Sequence, residues 1–428
     1  MNLNEVSAET IKEIPEEIIK KIKRQINKIE RSKDNAYPLR ESDIKENKST
    51  FWVNQPVMQI KNNNYEKKHI MSNDELDKLL LNDLILPEKF VLSSINLREE
   101  KTLDEVYKLL KKYYMKSYDG NFVFTYSKDF LKWFFLELGC NDEITIGLKV
   151  KETNKLVGFL GAIRMKLQIH NKKLDSYYSN FLCLHNKLRN KKASTILIRH
   201  LSKLCREKNC NLGVYAARYC VHRPLNLSQI YIRPINYKKL CEVGYCYHDE
   251  NIKLDSVLLN YKLANKLNNE NFVKLEERHI DQCFDLYINY SNKFHFHPIF
   301  SKEQFKSMLL SKNFITYVIK NEENEAEDFI SFYKTTVSVL NNKKYKTFTV
   351  ANLAYYSTVN HSLYKLLDNI LIVSKQMNFD LFTALDIMEN KNIIEIFNFF
   401  KSRDTVNYYL YNYNSNQLLS SQVGFINL

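Results

Sequence analysis

The stretch Asn180-Phe181-Leu182-Cys183-Leu184-His185-Asn186-Lys187-Leu188-Arg189-Asn190-Lys191-Lys192-Ala193-Ser194-Thr195-Ile196-Leu197-Ile198 constrains the chain more than any other. Its first residues, Phe181, Leu182 and Leu184 among aromatic neighbours, suit a strand. From Ile196 onward, Leu197, Leu201, Leu204 and Cys205 fall at helical spacing. Between the two lies a basic turn, Arg189-Asn190-Lys191-Lys192. A helix N-terminus offers unpaired N–H groups and the positive end of a dipole, so such a turn suits a phosphate. Taken alone, the pattern fits a surface turn with solvated lysines equally well.

The rest of the chain extends this strand–helix unit. Helices are expected at 102–114 and 127–138, strands at 144–150, 155–164 and 177–184, with Glu152-Thr153-Asn154 turning a hairpin between the first two strands. A helix at 192–207, a strand at 212–217 and a helix at 237–243 follow. The same order recurs: helices at 277–291 and 301–310, strands at 315–320, 328–336 and 347–357, a helix at 362–376, a strand at 380–384, a helix at 388–400 and a strand at 407–413. Two halves with one order of elements read as a duplicated α/β unit on a continuous sheet. Upstream, Ile11, Ile14, Ile18, Ile22, Ile26 and Ile29 form a narrow apolar stripe, an amphipathic helix over 9–31. Residues 1–47 hold ten basic and ten acidic residues, unlike a basic membrane-binding helix.

A length of 428 residues, 44% of them hydrophobic, allows a large core, and a net charge of +14 points to an anionic partner. No apolar run is long enough to span a membrane. The eight cysteines do not fall at paired zinc-ligand spacing, and His295 and His297 lack a further ligand nearby in sequence, so no metal is expected. No nucleic-acid-binding motif accompanies the charge.

Residues 180–189, 51–57, 380–391, 408–412 and 423–428 together resemble five motifs of the eukaryotic N-myristoyltransferase family. Residues 180–189 are similar to its E-I/V-N-F-L-C-V-H segment leading into L-R-S-K-R. Phe51-Trp52 with Gln55-Pro56-Val57 resembles F-W-x-T-Q-P-V. Residues 380–391 resemble F-D-V-F-N-A-L-D-L-M-E-N-K, and Tyr408-Tyr409-Leu410-Tyr411-Asn412 matches Y-Y-L-Y-N. The ending Val423-Gly424-Phe425-Ile426-Asn427-Leu428 resembles V-G-L/I-V-L-x. The resemblance spans residues 49–428. It implies a mixed α/β (α+β) fold of two tandem acetyltransferase-like (GNAT) halves, related by pseudo-two-fold symmetry and sharing a saddle-shaped sheet. After an extension over 1–47, residues 48–245 would bind myristoyl-CoA. Residues 246–428 would bind peptide and supply the C-terminal carboxylate.

The implied reaction moves a myristoyl group from myristoyl-CoA to the N-terminal glycine amine of peptides and nascent proteins. The implied donor contacts are Thr50, Phe51, Trp52, Cys183, Leu184, Arg189, Asn190, Lys191, Lys192, Ala193 and Ser194. The resemblance implies catalytic roles for Asn180, for an oxyanion hole at the Phe181 and Leu182 N–H groups, and for the α-carboxylate of Leu428 as base. An α-carboxyl ordinarily titrates at about 3.3–3.7 and an α-amino group at about 7.7–8.0, so desolvation must narrow that gap. The implied peptide contacts are Tyr114, Phe122, Phe124, Tyr215, Ala216, Tyr231, Tyr355, Leu385 and Asp404. No metal takes part. The family is monomeric and cytoplasmic, in some cases ribosome-associated, without a transmembrane segment or nucleic-acid specificity.

The departures cluster on the peptide side. Tyr178 stands at the signature glutamate, Asn190 at a serine and Thr195 at a proline, all mild changes. Tyr215-Ala216-Ala217-Arg218 replaces Y-T-A-G, Ile230-Tyr231-Ile232-Arg233 replaces Y-W-H-R, and Lys116-Ser117-Tyr118-Asp119 replaces an acidic run. Residues 398–404 replace K-F-G-x-G-D-G, which implies a reshaped loop beside the groove. These changes leave open a weak or inactive acyl-CoA or lipopeptide-binding homologue, or a transferase with another amine acceptor such as lysine.

Overall fold

The structure, a computed structural model, describes residues 50–59, 66–81, 86–117, 120–218, 220–249 and 251–428. The isoleucine stripe over 11–29 lies outside the described residues. Helices α1 (Thr50–Val53) and α2 (Asn73–Leu81) precede the first half. That half runs β1 (Phe90–Ser94), α3 (Glu100–Tyr113), β2 (Phe122–Thr125) and α4 (Lys128–Lys132), which continues as a π-helical turn over Trp133–Leu138. Next come β3 (Glu143–Val150), β4 (Leu156–Ile169), β5 (Lys172–Leu184), α5 (Ala193–Glu207), β6 (Gly213–Ala217), β7 (Asn226–Pro234), α6 (Tyr237–Glu242) and α7 (Leu254–Asn260). The second half runs β8 (Phe272–Lys274), α8 (Ile280–Ser291), β9 (Phe296–Ile299), α9 (Lys302–Leu310), β10 (Phe314–Lys320), β11 (Ala326–Val339) and β12 (Thr347–Tyr356). It ends with α10 (Leu363–Gln376), β13 (Leu381–Leu385), α11 (Lys391–Ile394) and β14 (Phe400–Tyr411).

The strands form one mostly antiparallel sheet in the order β1-β3-β4-β5-β6-β14-β7-β13-β12-β11-β10-β8. This order reads the same from either end once each strand is exchanged for its counterpart in the other half. The two parallel pairs, β5/β6 and β12/β13, occupy equivalent places. Each half gives its last strand to the other, because β14 pairs with β6 and β7 pairs with β13. The short strands cross as well: β2 pairs with β11, and β9 pairs with β4. The duplicated order read from the sequence is therefore a two-fold arrangement of reciprocally exchanged strands.

Hydrophobic periodicity explains most of the elements. Helix α5 buries Ala193, Ile196, Leu197 and Leu201 on one face. The β4–β5 hairpin extends past the expected 164 and 177, closing on a two-residue turn with His170 at φ 51°. Its distal ribbon persists because Met165, Leu167 and Ile169 alternate inward and β9 adds a third strand.

The expected helix over 388–400 is a correction. Only Lys391–Ile394 is α-helical, and Phe400 already belongs to β14. Met388 and Asn398 take left-handed conformations at φ 52° and 56° that interrupt a helix. Pairing with β7 and β6 satisfies the β14 backbone, and the β-branched and aromatic residues here suit a strand. The register jumps from Lys401↔Tyr231 to Thr405↔Gln229, so Ser402, Arg403 and Asp404 form a bulge within this strand. Strand β7 was not anticipated, since Pro224 and Pro234 bracket it and a proline reads locally as punctuation.

Candidate active site

The N-terminus of α5 is built to receive negative charge. Asn190 and Lys192 are both left-handed, at φ 60° and 58°, and Lys192, the N-cap, supplies no side-chain cap. Alternating left-handed residues turn successive N–H groups toward one concavity. Lys187, Lys191 and Lys192 make no ion pair among the described residues, while Arg189 bonds back to the Tyr113 carbonyl. Burial and the charges of Lys155, Lys187 and Lys112 lower the pKa of His185, which sits at the start of this turn. Ser194 and Ala193 open the helix, with Ala193 buried against the sheet.

One strand back, β5 is bulged. Gly161 pairs with Asn180 and Phe159 with Cys183, leaving Phe181 and Leu182 opposite Leu160 alone. Phe181 has φ 61°, costly for a bulky side chain, and its ring is locked among Phe134, Phe135, Tyr114 and Tyr126. The bulge re-aims two peptide groups and leaves the Leu182 side chain exposed. Cys183 and Leu184 are buried, Cys183 against Leu109 O and Leu184 beneath α5.

The C-terminal residues run through the middle of the molecule against this bulge. Four tyrosine hydroxyls hold them. Tyr408 donates to Phe425 O (2.6 Å), Tyr355 accepts from Ile426 N–H (3.3 Å), and Tyr333 donates to Asn427 O (3.2 Å). The Tyr178 hydroxyl donates to Asn427 Oδ1 (2.8 Å) and accepts from Leu428 N–H (3.1 Å) and Asn180 Nδ2 (3.0 Å). One proton and two lone pairs make three bonds, so this hydroxyl is fully used.

Asn180 is equally complete. Its Nδ2 also donates to Leu428 O, and its Oδ1 accepts from Tyr114 Oη (3.1 Å) and Phe181 N–H (2.8 Å). Burial pushes the Tyr178, Tyr333, Tyr408 and Tyr355 phenols up, so all four remain neutral. The salt bridges among the described residues do not include the Leu428 carboxylate.

A cavity of about 450 Å³ runs along the bulge and the residues before the C-terminus; Leu428 and the turn at 189–194 are not among its lining residues. Asn180, Phe181, Leu182, Ile426 and Asn427 line it. Trp52, Tyr177, Leu201 and Cys205 also line it, as do Phe124, Ala216, Arg218, Leu385 and Asp404. Tyr114 and Tyr215 also reach it. Trp52 stacks on Tyr215 (5.7 Å), which stacks on Tyr409 (5.3 Å), with His222 against all three rings. Phe51 packs edge-on against Trp52, and Thr50 begins their helical turn.

Three expected peptide contacts lie outside the lining. Phe122 is buried against Tyr245 and Phe348, Tyr231 sits between β13 and β14, and Tyr355 lies beneath Ile426. The features that sequence reasoning did not single out are Tyr178 as a hub, Tyr333, Tyr408 and Asn427. Tyr178, Tyr408 and Asn427 stand in or beside motifs already quoted, but no local pattern pairs them with one another.

Comparison with known proteins follows this geometry. Residues 69–228 match the N-terminal domain of myristoyl-CoA:protein N-myristoyltransferase, and residues 242–424 match its C-terminal domain. The glycylpeptide N-tetradecanoyltransferase of Saccharomyces cerevisiae is 30% identical over 390 residues, 85% of each chain. The chain belongs to the N-myristoyltransferase family. The enzyme of Kluyveromyces lactis is 29% identical over 385 residues, 86% of each chain. A crystal structure of the Saccharomyces cerevisiae N-myristoyltransferase with bound myristoyl-CoA superposes with a TM-score of 0.83 at 27% identity, covering 89% of this chain and all of that one. The two-fold sheet of exchanged strands is thus the N-myristoyltransferase fold. No helix among the described residues is long and apolar enough to cross a membrane.

Proposed function

We infer that this protein is a glycylpeptide N-tetradecanoyltransferase, transferring myristoyl from myristoyl-CoA to the N-terminal glycine amine of an acceptor peptide. The observation that carries the reading is the meeting of the Phe181–Leu182 bulge with Ile426 and Asn427 along one cavity, while the same strand leads on to the basic turn before α5. Myristoyl-CoA is the donor substrate. The first half, residues 48–245, takes it, and the second, residues 246–428, takes the peptide.

The phosphates of the donor fit the concavity at Asn190, Ala193 and Ser194. Arg189, Lys191 and Lys192 supply charge there, and no carboxylate competes for the two lysines. Thr50, Phe51, Trp52, Cys183 and Leu184 shape the remainder of the donor site, Cys183 and Leu184 from beneath. The N–H groups of Phe181 and Leu182 at the bulge are assigned to the thioester carbonyl, although Phe181 N–H is bonded to Asn180 Oδ1 in the free protein. They stabilise the oxyanion that develops as the amine attacks, a term worth about 2.7–4 kcal/mol per donor in acyl transfer. Asn180 Oδ1 accepts from Phe181 N–H, so this bond must be given up or shared when the N–H turns to the oxyanion.

The Leu428 carboxylate first binds the glycine ammonium, then takes one proton, freeing the lone pair that attacks the carbonyl carbon; as the C–N bond forms and the tetrahedral adduct collapses, the C–S bond breaks and CoA leaves as the thiol with the second proton of the amine. Neutral donors and burial serve this step. Among the described residues no cation is paired with this carboxylate, so the glycine ammonium would be its charged partner. Tyr114, Phe124, Tyr215, Ala216, Leu385 and Asp404 form the acceptor wall, and Phe122, Tyr231 and Tyr355 support it. The protein works as a cytoplasmic monomer that meets nascent chains at the ribosome, a setting supported by eight free thiols and a net charge of +14.

The test is incubation with myristoyl-CoA and glycine-initiated peptides, read as the mass gain of one myristoyl group. Deleting Leu428 is expected to abolish transfer while myristoyl-CoA binding persists. Undiminished turnover in that variant would remove the base assignment, and no product from any glycine peptide would remove the activity.

A further inference from the structure

Four residues that line the cavity form one row across the sheet. Tyr333 on β11 is registered with Asn352 on β12, Asn352 with Thr383 on β13, and Thr383 with Ile232 on β7. Thr335, two residues along β11 from Tyr333, shares its face and also lines the cavity. Three polar side chains on this face are joined. Thr383 Oγ1 donates to Asn352 Oδ1 (2.8 Å), and Asn352 Nδ2 donates to Thr335 Oγ1 (2.9 Å) and to the Tyr333 carbonyl (3.2 Å). A carbonyl can only accept, so the Tyr333 contact fixes which end of the Asn352 amide is nitrogen. The direction of the chain follows: Thr383 gives to Asn352, and Asn352 gives to Thr335.

Both ends of this chain are unfinished. Among the described residues the Thr335 hydroxyl proton has no acceptor and Thr383 Oγ1 has no donor. Thr335 is only 6% exposed, so its spare donor is largely shut away from bulk water. A buried donor without a partner is costly, and hydrogen bonds that run one way polarise the last donor in the line. The two threonine oxygens are one bridging amide apart. A second amide laid on the cavity side spans the same two oxygens, its C=O taking the Thr335 proton and its N–H giving to Thr383. That closes a ring of four hydrogen bonds in which every member both gives and takes.

We propose that the Thr335–Asn352–Thr383 chain is a subsite for one amide group of the acceptor peptide, a peptide bond or a side-chain carboxamide. Tyr333 sets the subsite beside the tail, since its carbonyl accepts from Asn352 while its hydroxyl donates to Asn427 O. This rests on the reading that the cavity takes the glycine peptide. A site built around hydrogen bonds rejects a ligand that lacks the matching group, because its own buried polar atoms are then left unpaired.

The test uses the full chain loaded with myristoyl-CoA and heptapeptides beginning with glycine. One set carries asparagine, glutamine or leucine singly at the second to seventh residues. A second set replaces each peptide bond in turn by an ester, which removes the N–H and weakens the carbonyl as an acceptor. Peptide binding is measured by calorimetry and transfer by mass. In the wild type one carboxamide or one peptide bond is expected to bind roughly tenfold better than its leucine or ester counterpart. In Thr335→Val, which keeps the shape and the β-branching, the same change should cost about twofold or less, with myristoyl-CoA affinity kept. A position found in the first set assigns a side-chain carboxamide, and one found in the second assigns a backbone amide.

Thermal unfolding identifies which variants fold. If Thr335→Val is unstable, Thr383→Val removes the other end of the chain and carries the same expectation. A merely structural row would weaken all peptides alike. Carboxamide-to-leucine and amide-to-ester ratios that are the same in the wild type and the folded variants therefore overturn the proposal, and the transferase reading stands if peptides are still acylated. If no glycine peptide is bound or acylated, both fall.

Discussion

Replacing Tyr178 by phenylalanine removes one oxygen and strands three partners: the Asn427 side chain, the Leu428 N–H and one Asn180 amide proton. Each buried group left unpaired costs about 1–3 kcal/mol. The Tyr178→Phe protein should melt several degrees lower, and its kcat should fall by roughly tenfold or more while its affinity for myristoyl-CoA is kept. An unchanged kcat in a folded variant would show that the tail needs no hydroxyl here. From the sequence this tyrosine is a mild replacement of a glutamate, because its partners lie about 250 residues away. The Phe181–Leu182 bulge could be located from its motif, but the four hydroxyls could not. No local pattern records which tyrosine meets a chain terminus.

His222 gives a second prediction at this scale. Burial lowers its pKa from the ordinary 6.5 to about 3, with the ring bonded to Tyr215 and to Arg223 O. The unfolded chain takes up a proton below pH 6.5 that the folded chain refuses. This histidine's contribution is therefore complete above pH 6.5 and is lost as pH falls toward 3. Denaturant midpoints at pH 7 and pH 5 should differ less in His222→Gln than in the wild type. An equal difference would clear His222 of that role.

Among the elements, α5 was the most legible. Its apolar stripe, the basic turn and the strand before it are contiguous in sequence, so local rules suffice. Removing two charges there, in Lys191→Ala/Lys192→Ala, should weaken myristoyl-CoA binding by roughly tenfold at low salt, and the loss should shrink as salt screens the site. An equal loss at high salt would point to shape rather than charge. The segment 388–400 is the opposite case. Its isoleucines and phenylalanines fit a helical wheel, yet they make a short turn and the start of β14. Two strands waiting on either side decided its form, and neither is near it in sequence.

At the scale of the whole molecule, the strand order binds the halves more tightly than two domains joined by a linker. A fragment of residues 48–245 keeps β6 and β7 but loses β14, which lies between them. It should fail to fold alone and recover when co-expressed with residues 246–428, as circular dichroism and gel filtration would report. A soluble, cooperatively melting fragment would contradict this. The duplicated order of elements was readable from sequence. The exchange of strands was not, since register across a two-fold axis is set by packing between residues hundreds of positions apart.

The place of β14 has a consequence in time. It is the last strand to leave the ribosome and one of the most central in the sheet. Until residues 400–411 emerge, β6 and β7 each present an open edge, and the nascent sheet has a slot where its middle should be. An unpaired edge invites pairing with other chains, and contacts so distant in sequence form slowly. The sheet must therefore pass through an interval in which every other strand exists and its centre does not, and escape from aggregation is decided when residues 400–411 join it.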